Sequence, residues 1–98
     1  MIRQPAPSSA IAINNTALSR FELDLDAGLA FASYRTSPGT ITIVHTEVPA
    51  KIRGGRVGSK FVRGVLEEVR RQGLKLVPQC GFVRAFMAKN PEFNDLLR

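Results

Sequence analysis

The sequence predicts an α+β domain, with antiparallel strands first and an α/β-like mixed sheet after them. Three observations carry that expectation. Residues 20–26 alternate apolar and acidic positions, residues 40–48 are β-branched at almost every place, and residues 57–72 repeat apolar positions at helical spacing between two strand-like runs. A βαβ unit should therefore follow the first strands, and short helices should close the chain.

The elements follow in order. Residues 1–18 contain Pro5, Pro7, Ser8, Ser9, Asn14 and Asn15 and no acidic group, which reads as a flexible N-terminal tail preceding a domain in residues 19–98. In residues 20–26, Phe21, Leu23 and Leu25 are apolar while Glu22, Asp24 and Asp26 are acidic, the pattern of a strand with one wet face. Ala27-Gly28 should turn the chain into a second strand over 29–34, and Ser37-Pro38-Gly39 should turn it again. Thr40, Ile41, Thr42, Ile43, Val44, Thr46 and Val48 then make the strongest strand of the chain, which should be central. After Pro49 the period changes. Val57, Phe61, Val62, Val65, Leu66 and Val69 mark one face of a helix, with Arg56, Lys60, Arg63, Glu67 and Arg70 on another, and Gly73 stands where a helix-terminating glycine belongs. A strand over 74–78, a short helix over 82–89 stopped by Asn90-Pro91, and a last helical turn with Phe93, Leu96 and Leu97 complete the chain.

At 98 residues the chain has room for one domain and one economical core. Its single cysteine, Cys80, rules out an intramolecular disulfide and any multi-cysteine metal site, and it fits a reducing compartment. No apolar run reaches the ~20 residues of a membrane span. The expectation is a soluble cytoplasmic protein without a metal, a monomer or a weak homodimer.

Charge is concentrated. Residues 51–75 hold eight lysines and arginines against two glutamates, whereas residues 1–50 hold three arginines against four acids. That segment calls for an anionic partner. Within it, Arg53-Gly54-Gly55-Arg56-Val57-Gly58-Ser59 joins the strongest strand to the helix, the place where parallel sheets bind ligands and helix amides receive phosphate. Lys51 and Lys60 add charge around it. The plainer reading of this loop is a solvated basic turn. Neither G-x-x-x-x-G-K-[ST] nor G-x-G-x-x-G is present, which sets aside the common nucleotide loops. Seven aromatic residues, most of them on apolar faces, leave few to stack on bases and weigh against a nucleic-acid partner.

The loop resembles the R/Q-x-x-G-x-G/A pyrophosphate motif of the GNAT acetyltransferase superfamily. The likeness extends through His45-Thr46-Glu47-Val48-Pro49, Val77-Pro78-Gln79-Cys80 and Asn90-Pro91-Glu92-Phe93, and through Arg20-Phe21-Glu22-Leu23, so it covers about residues 14–97 of this chain. It is similar to the minimal, single-domain GNAT-like N-acetyltransferases. The resemblance implies a truncated GNAT fold that takes acetyl-CoA or CoA as co-substrate, with the loop from Arg53 to Ser59 on the pyrophosphate, pantetheine between splayed strands, and contacts from Val48 and Asn90. In one place the chain departs from the pattern, since Arg56 stands where the motif has a glycine and Gly55 stands one place earlier.

Three side chains could carry chemistry. Cys80 ends the second parallel strand and His45 and Glu47 end the first, so the crossover should bring all three together near the reactive end of the coenzyme. Cys80 could accept an acetyl group as a thiolate, His45 could move protons near neutral pH, and Glu47 could serve as base for an attacking amine. The first two assignments are also those the resemblance implies. Each has a plain structural alternative: a small buried thiol, a hydrogen-bonded histidine, a surface carboxylate. The functions in view are an acetyl-CoA-dependent N-acetyltransferase acting on an amine or thiol, a CoA-binding module without turnover, and, with least support, a basic nucleic-acid-binding protein.

Overall fold

The computed structural model describes residues 12–25, 28–50 and 56–98. The sheet has five strands in sequential order: β1 Ile13–Asn15, β2 Arg20–Leu25, β3 Gly28–Ser37, β4 Thr40–Glu47 and β5 Lys75–Pro78. The first four pair antiparallel, and β5 pairs parallel to β4. Helix α1, Val57–Arg71, joins β4 to β5, while α2, Gly81–Lys89, and a 3-10 segment, Pro91–Leu96, follow. This is the expected mixed-sheet α+β architecture, truncated to one layer of helix on one layer of sheet. Asp26, Ala27 and residues 51–55, with the loop positions Lys51, Arg53, Gly54 and Gly55, lie outside the described residues.

Binary pattern explains the layering. Phe21 and Leu23 of β2, Ala30, Ala32 and Tyr34 of β3, Ile41 and Ile43 of β4 and Leu76 of β5 are buried on one sheet face. Against them α1 packs Phe61, Val62, Val65, Leu66 and Val69, and α2 packs Val83, Phe86 and Met87, in one cluster. The other sheet face, with Arg20, Glu22, Phe31, Ser33, His45 and Glu47, has no helix over it among the described residues.

Three details depart from the sequence expectation. β3 runs to Ser37, because Ser37 pairs with Thr40 and leaves only Pro38 and Gly39, the latter at φ +71°, to turn the hairpin. β1 forms inside the stretch that composition assigns to a tail. Its asparagines are the reason: Asn14 Oδ1 accepts the Tyr34 hydroxyl at 2.5 Å, and Asn15 Nδ2 donates to Glu22 Oε2 at 3.0 Å. Finally, β4 bulges. Tyr34 pairs with Ile43 and Ser33 with His45, so Val44 is an extra residue with no partner on β3.

The basic helix face is largely engaged inside the molecule. Arg63 donates to Asn90 Oδ1 at 2.8 Å and Glu92 Oε2 at 3.2 Å, and its guanidinium lies over the Phe86 and Phe93 rings. Arg70 reaches Asp95, the Glu92 carbonyl and the Phe93 ring. These two arginines clamp the C-terminal segment onto α1. Arg71 pairs with Glu68, which is held at about 2 by that hydrogen bond and a second from Gln72. The exposed edge of β5 is blunted, since Pro78 has no N–H and Arg98 N donates to the Leu76 carbonyl at 3.1 Å. No helix among the described residues is long and apolar enough to cross a membrane.

Candidate functional site

The parallel pairing of β4 with β5 stops at Ile43 opposite Pro78, and the Ile43 carbonyl accepts from both Gln79 N at 3.0 Å and Cys80 N at 3.1 Å. β4 continues to Glu47 while the other chain turns into α2, so the two strands part. Around the parting stand Thr46 and Val48 from β4 and its exit, Cys80 and Phe82 from the start of α2, and Gly58 from the first turn of α1. A methyl group on Gly58 would meet Phe82 Cζ at 2.8 Å and Val48 Cγ2 at 3.6 Å. A side chain at this position therefore fits only if the Phe82 ring, itself 42% exposed, moves aside.

Cys80 is 8% exposed and takes the N-cap position of α2 in extended conformation. Its Sγ donates to Thr46 Oγ1 at 3.4 Å. Burial is the largest single influence on this thiol and pushes its pKa up. The Thr46 hydrogen bond and the nearby amides of Val83 and Phe82 outweigh it, and the net pKa falls below the ordinary cysteine value. The amides act here as aligned dipoles, for the thiol makes no regular capping hydrogen bond.

His45 and Glu47 are joined to each other, Nε2 to Oε2 at 3.0 Å, with side chains 56% and 47% exposed. They do not join Cys80. His45 is paired with Ser33 and Glu47 with Phe31, on the open face, whereas Thr46 is paired with Ala32 on the helix-covered face. Regular alternation from Ile43 would have turned His45 and Glu47 toward Cys80. The extra residue Val44 reverses the alternation and sends Thr46 there instead. The open-face group continues with Phe31, whose ring lies 6.0 Å from His45, and with Arg20, which stacks 4.6 Å over Phe31 and pairs with Glu22 at 2.6 Å.

At the start of α1, Arg56 occupies the N-cap, no side chain caps the helix among the described residues, and the first turn holds no acid. Val57, Gly58 and Ser59 form that turn, and Lys60 N makes the first ladder bond, to the Arg56 carbonyl at 2.9 Å. Basic groups at the positive end of a helix are unfavourable without an anion, so this terminus suits one. Asn90 is occupied within the fold, donating to the Phe86 carbonyl at 2.8 Å and accepting from Arg63, which ties the end of α2 to α1.

The structure thus brings Val48 to Gly58, places His45 and Glu47 on the sheet face opposite Thr46 and Cys80, and adds two residues that sequence reasoning missed: Thr46, which binds Cys80, and Phe82, which packs on Gly58. A bulge has no signature in a run of β-branched residues, so nothing in the sequence marked Thr46. A family model described as GCN5-related N-acetyl-transferase matches residues 20–96. No curated protein matches the chain.

Proposed function

Because the chain belongs to the GCN5-related N-acetyltransferase family, we propose that it is an acetyl-CoA-dependent N-acetyltransferase working where β4 and β5 part. The observation that carries this reading is Cys80, a buried thiol of lowered pKa at the head of a helix and at the divergence of two parallel strands. The surroundings suit the coenzyme. In this reading the stretch Arg53, Gly54, Gly55, Arg56, Val57, Gly58 and Ser59 holds the diphosphate, while Val48 flanks the pantetheine arm and Asn90 keeps α2 in place beside it.

Acetyl-CoA supplies an acetyl group activated as a thioester. Cys80 attacks as the thiolate, its new S–C bond replacing the bond to the coenzyme, which departs as a thiolate; exchange between thiolates is close to balanced. An acceptor amine then forms the N–C bond, the S–C bond to Cys80 breaks, and Cys80 returns to thiolate as the amine gives up a proton. His45 and Glu47 stand on the open face, so the amine approaches from that side and the 3.0 Å pair takes its proton. Thr46, on the other face of the same strand, holds the thiolate in place.

The test is intact mass after incubation with acetyl-CoA, followed by turnover on a panel of amines. The expected result is one acetyl adduct that is lost in Cys80→Ala and kept in His45→Ala, with turnover reduced at least about 100-fold in Cys80→Ala. Undiminished turnover in Cys80→Ala, or an adduct that survives that substitution, would sink the covalent route.

A further inference from the structure

We infer that the acceptor is an amino acid, its carboxylate gripped by Arg20 while its amine meets the pair of His45 and Glu47. This rests on the acetyltransferase reading above and gives its acceptor side a substrate class. The open face of the sheet sets out partners for the two ends of such a molecule in register. Arg20 is paired with Ser33 and Ser33 with His45, and in the next row Glu22 is paired with Phe31 and Phe31 with Glu47. Neighbouring strands lie about 4.8 Å apart, so a cation on β2 and a proton acceptor on β4 stand on either side of β3 with the small Ser33 between them.

Arg20 is held ready for a carboxylate. Its side chain is only 26% exposed, its Nε donates to Glu22 Oε2 at 2.6 Å, and its guanidinium lies 4.6 Å over the Phe31 ring. Asn15 Nδ2 donates to the same Glu22 oxygen at 3.0 Å, and the two hydrogen bonds, that from Arg20 first, hold Glu22 below the usual carboxylate range and so keep it ionised. Ring and carboxylate fix the guanidinium plane, while its two terminal nitrogens make no hydrogen bond among the described residues. That free edge is a preset fork for a planar anion with two oxygens. On the β4 side of the same ring His45 stands 6.0 Å away, and Glu47, 3.0 Å from His45, gives that end an anion for an ammonium group. A zwitterion thus meets a cation with its carboxylate and an anion with its amine. A plain amine would leave the Arg20 fork empty. Lying across β3, the amino acid has its nitrogen toward the place where β4 and β5 part. There the amine gives its proton to the pair and forms the N–C bond as the S–C bond of acetyl-Cys80 breaks, and the carboxylate stays on Arg20 unchanged.

The experiment measures kcat/KM for acetyl transfer from acetyl-CoA, by the whole chain, to a panel of amino acids, each compared with its methyl ester and with the amine that lacks its carboxylate. The ester nitrogen is less basic than that of the acid and the plain amine more basic, so a preference over both does not come from basicity. For the best amino acid the free acid should exceed each by at least about tenfold, mainly through KM. In Arg20→Lys, which keeps the charge beside Glu22 and loses the fork, that preference should fall by about tenfold. Esters or plain amines used as well as the acids by the unmodified protein, a result that needs no variant, overturn this inference and leave the acetyltransferase reading standing. An acetyl-Cys80 adduct with turnover on none of the amino acids does the same. Absence of both adduct and turnover overturns both. A preference that persists undiminished in Arg20→Lys overturns the assignment to Arg20.

Discussion

The last residues of β4 present two regions that differ in nearly every physical respect although they alternate along one strand. On one side Thr46 faces the helices and binds a thiol that is 8% exposed; on the other His45 and Glu47 face outward, each about half exposed, with Phe31 and Arg20 beside them. Val44 separates these fates by adding one residue to the strand. Desolvation, helix amides and a threonine hydroxyl can act strongly on Cys80 because water is excluded there, whereas an ion pair in water is worth about 1 kcal/mol or less. A strand that serves a dry side and a wet side in this way can separate a nucleophile from a proton acceptor.

The largest expected effect tests the layering. Leu66 is fully buried under the sheet, so Leu66→Ala should cost about 2–5 kcal/mol and lower the melting temperature by roughly 10 °C or more. Phe31→Ala, on the open face, removes a half-buried ring and its stacking with Arg20 and should cost about 1–2 kcal/mol. Thermal or urea unfolding of the two variants decides it. A larger loss from Phe31 would mean that the open face is covered in solution and that the contrast between the faces fails.

A smaller effect probes the seam where the two helices begin. Gly58→Ala gains helix propensity of up to about 1 kcal/mol but drives its methyl to 2.8 Å from Phe82 Cζ, so the ring must move. The same substitution in a Phe82→Ala background has no ring to displace. Chemical denaturation of the four-member cycle should show Gly58→Ala as stabilising only when Phe82 is absent, with a coupling of about 1 kcal/mol. Additive behaviour would show that Phe82 does not rest on Gly58.

Much of this arrangement was legible beforehand. The period-two run of β2, the β-branched β4, the α1 stripe from Phe61 to Val69 and Gly73 each state their structure through local physics, and α1 ends at Arg71 with Gly73 at φ +72°. What escaped was non-local. β1 depends on Asn14 meeting Tyr34 and Asn15 meeting Glu22, partners 20 and 7 residues away. The site reading placed Cys80, His45 and Glu47 at the ends of adjacent strands; His45 and Glu47 do stand in the last residues of β4, but β5 ends at Pro78 and Cys80 opens α2. That reading missed which way they face, because one unpaired residue in β4 inverts the alternation and no residue type in Val44-His45-Thr46 announces a bulge. The basic stripe of α1 misled in the same way: Arg63 and Arg70 serve Phe93, Glu92 and Asp95, contacts made by residues more than 20 positions later.

The finest test of the two-sided strand exchanges Thr46 for valine, which has the same shape and no hydroxyl. Thr46 favours the thiolate of Cys80, so Thr46→Val should raise the thiol's pKa. The sign for stability follows. The folded thiol titrates below the unfolded one, so its contribution is complete above the unfolded pKa and disappears as pH falls through the folded value; Thr46→Val narrows that window. The rate of alkylation by a small haloacetamide, followed against pH, reads the shift directly. His45→Gln leaves Thr46 and the α2 amides in place and should leave the midpoint unmoved, because His45 lies on the far face of the strand. A midpoint that moves with His45 and ignores Thr46 would put the histidine on the thiol's side and reverse the role assigned to the bulge.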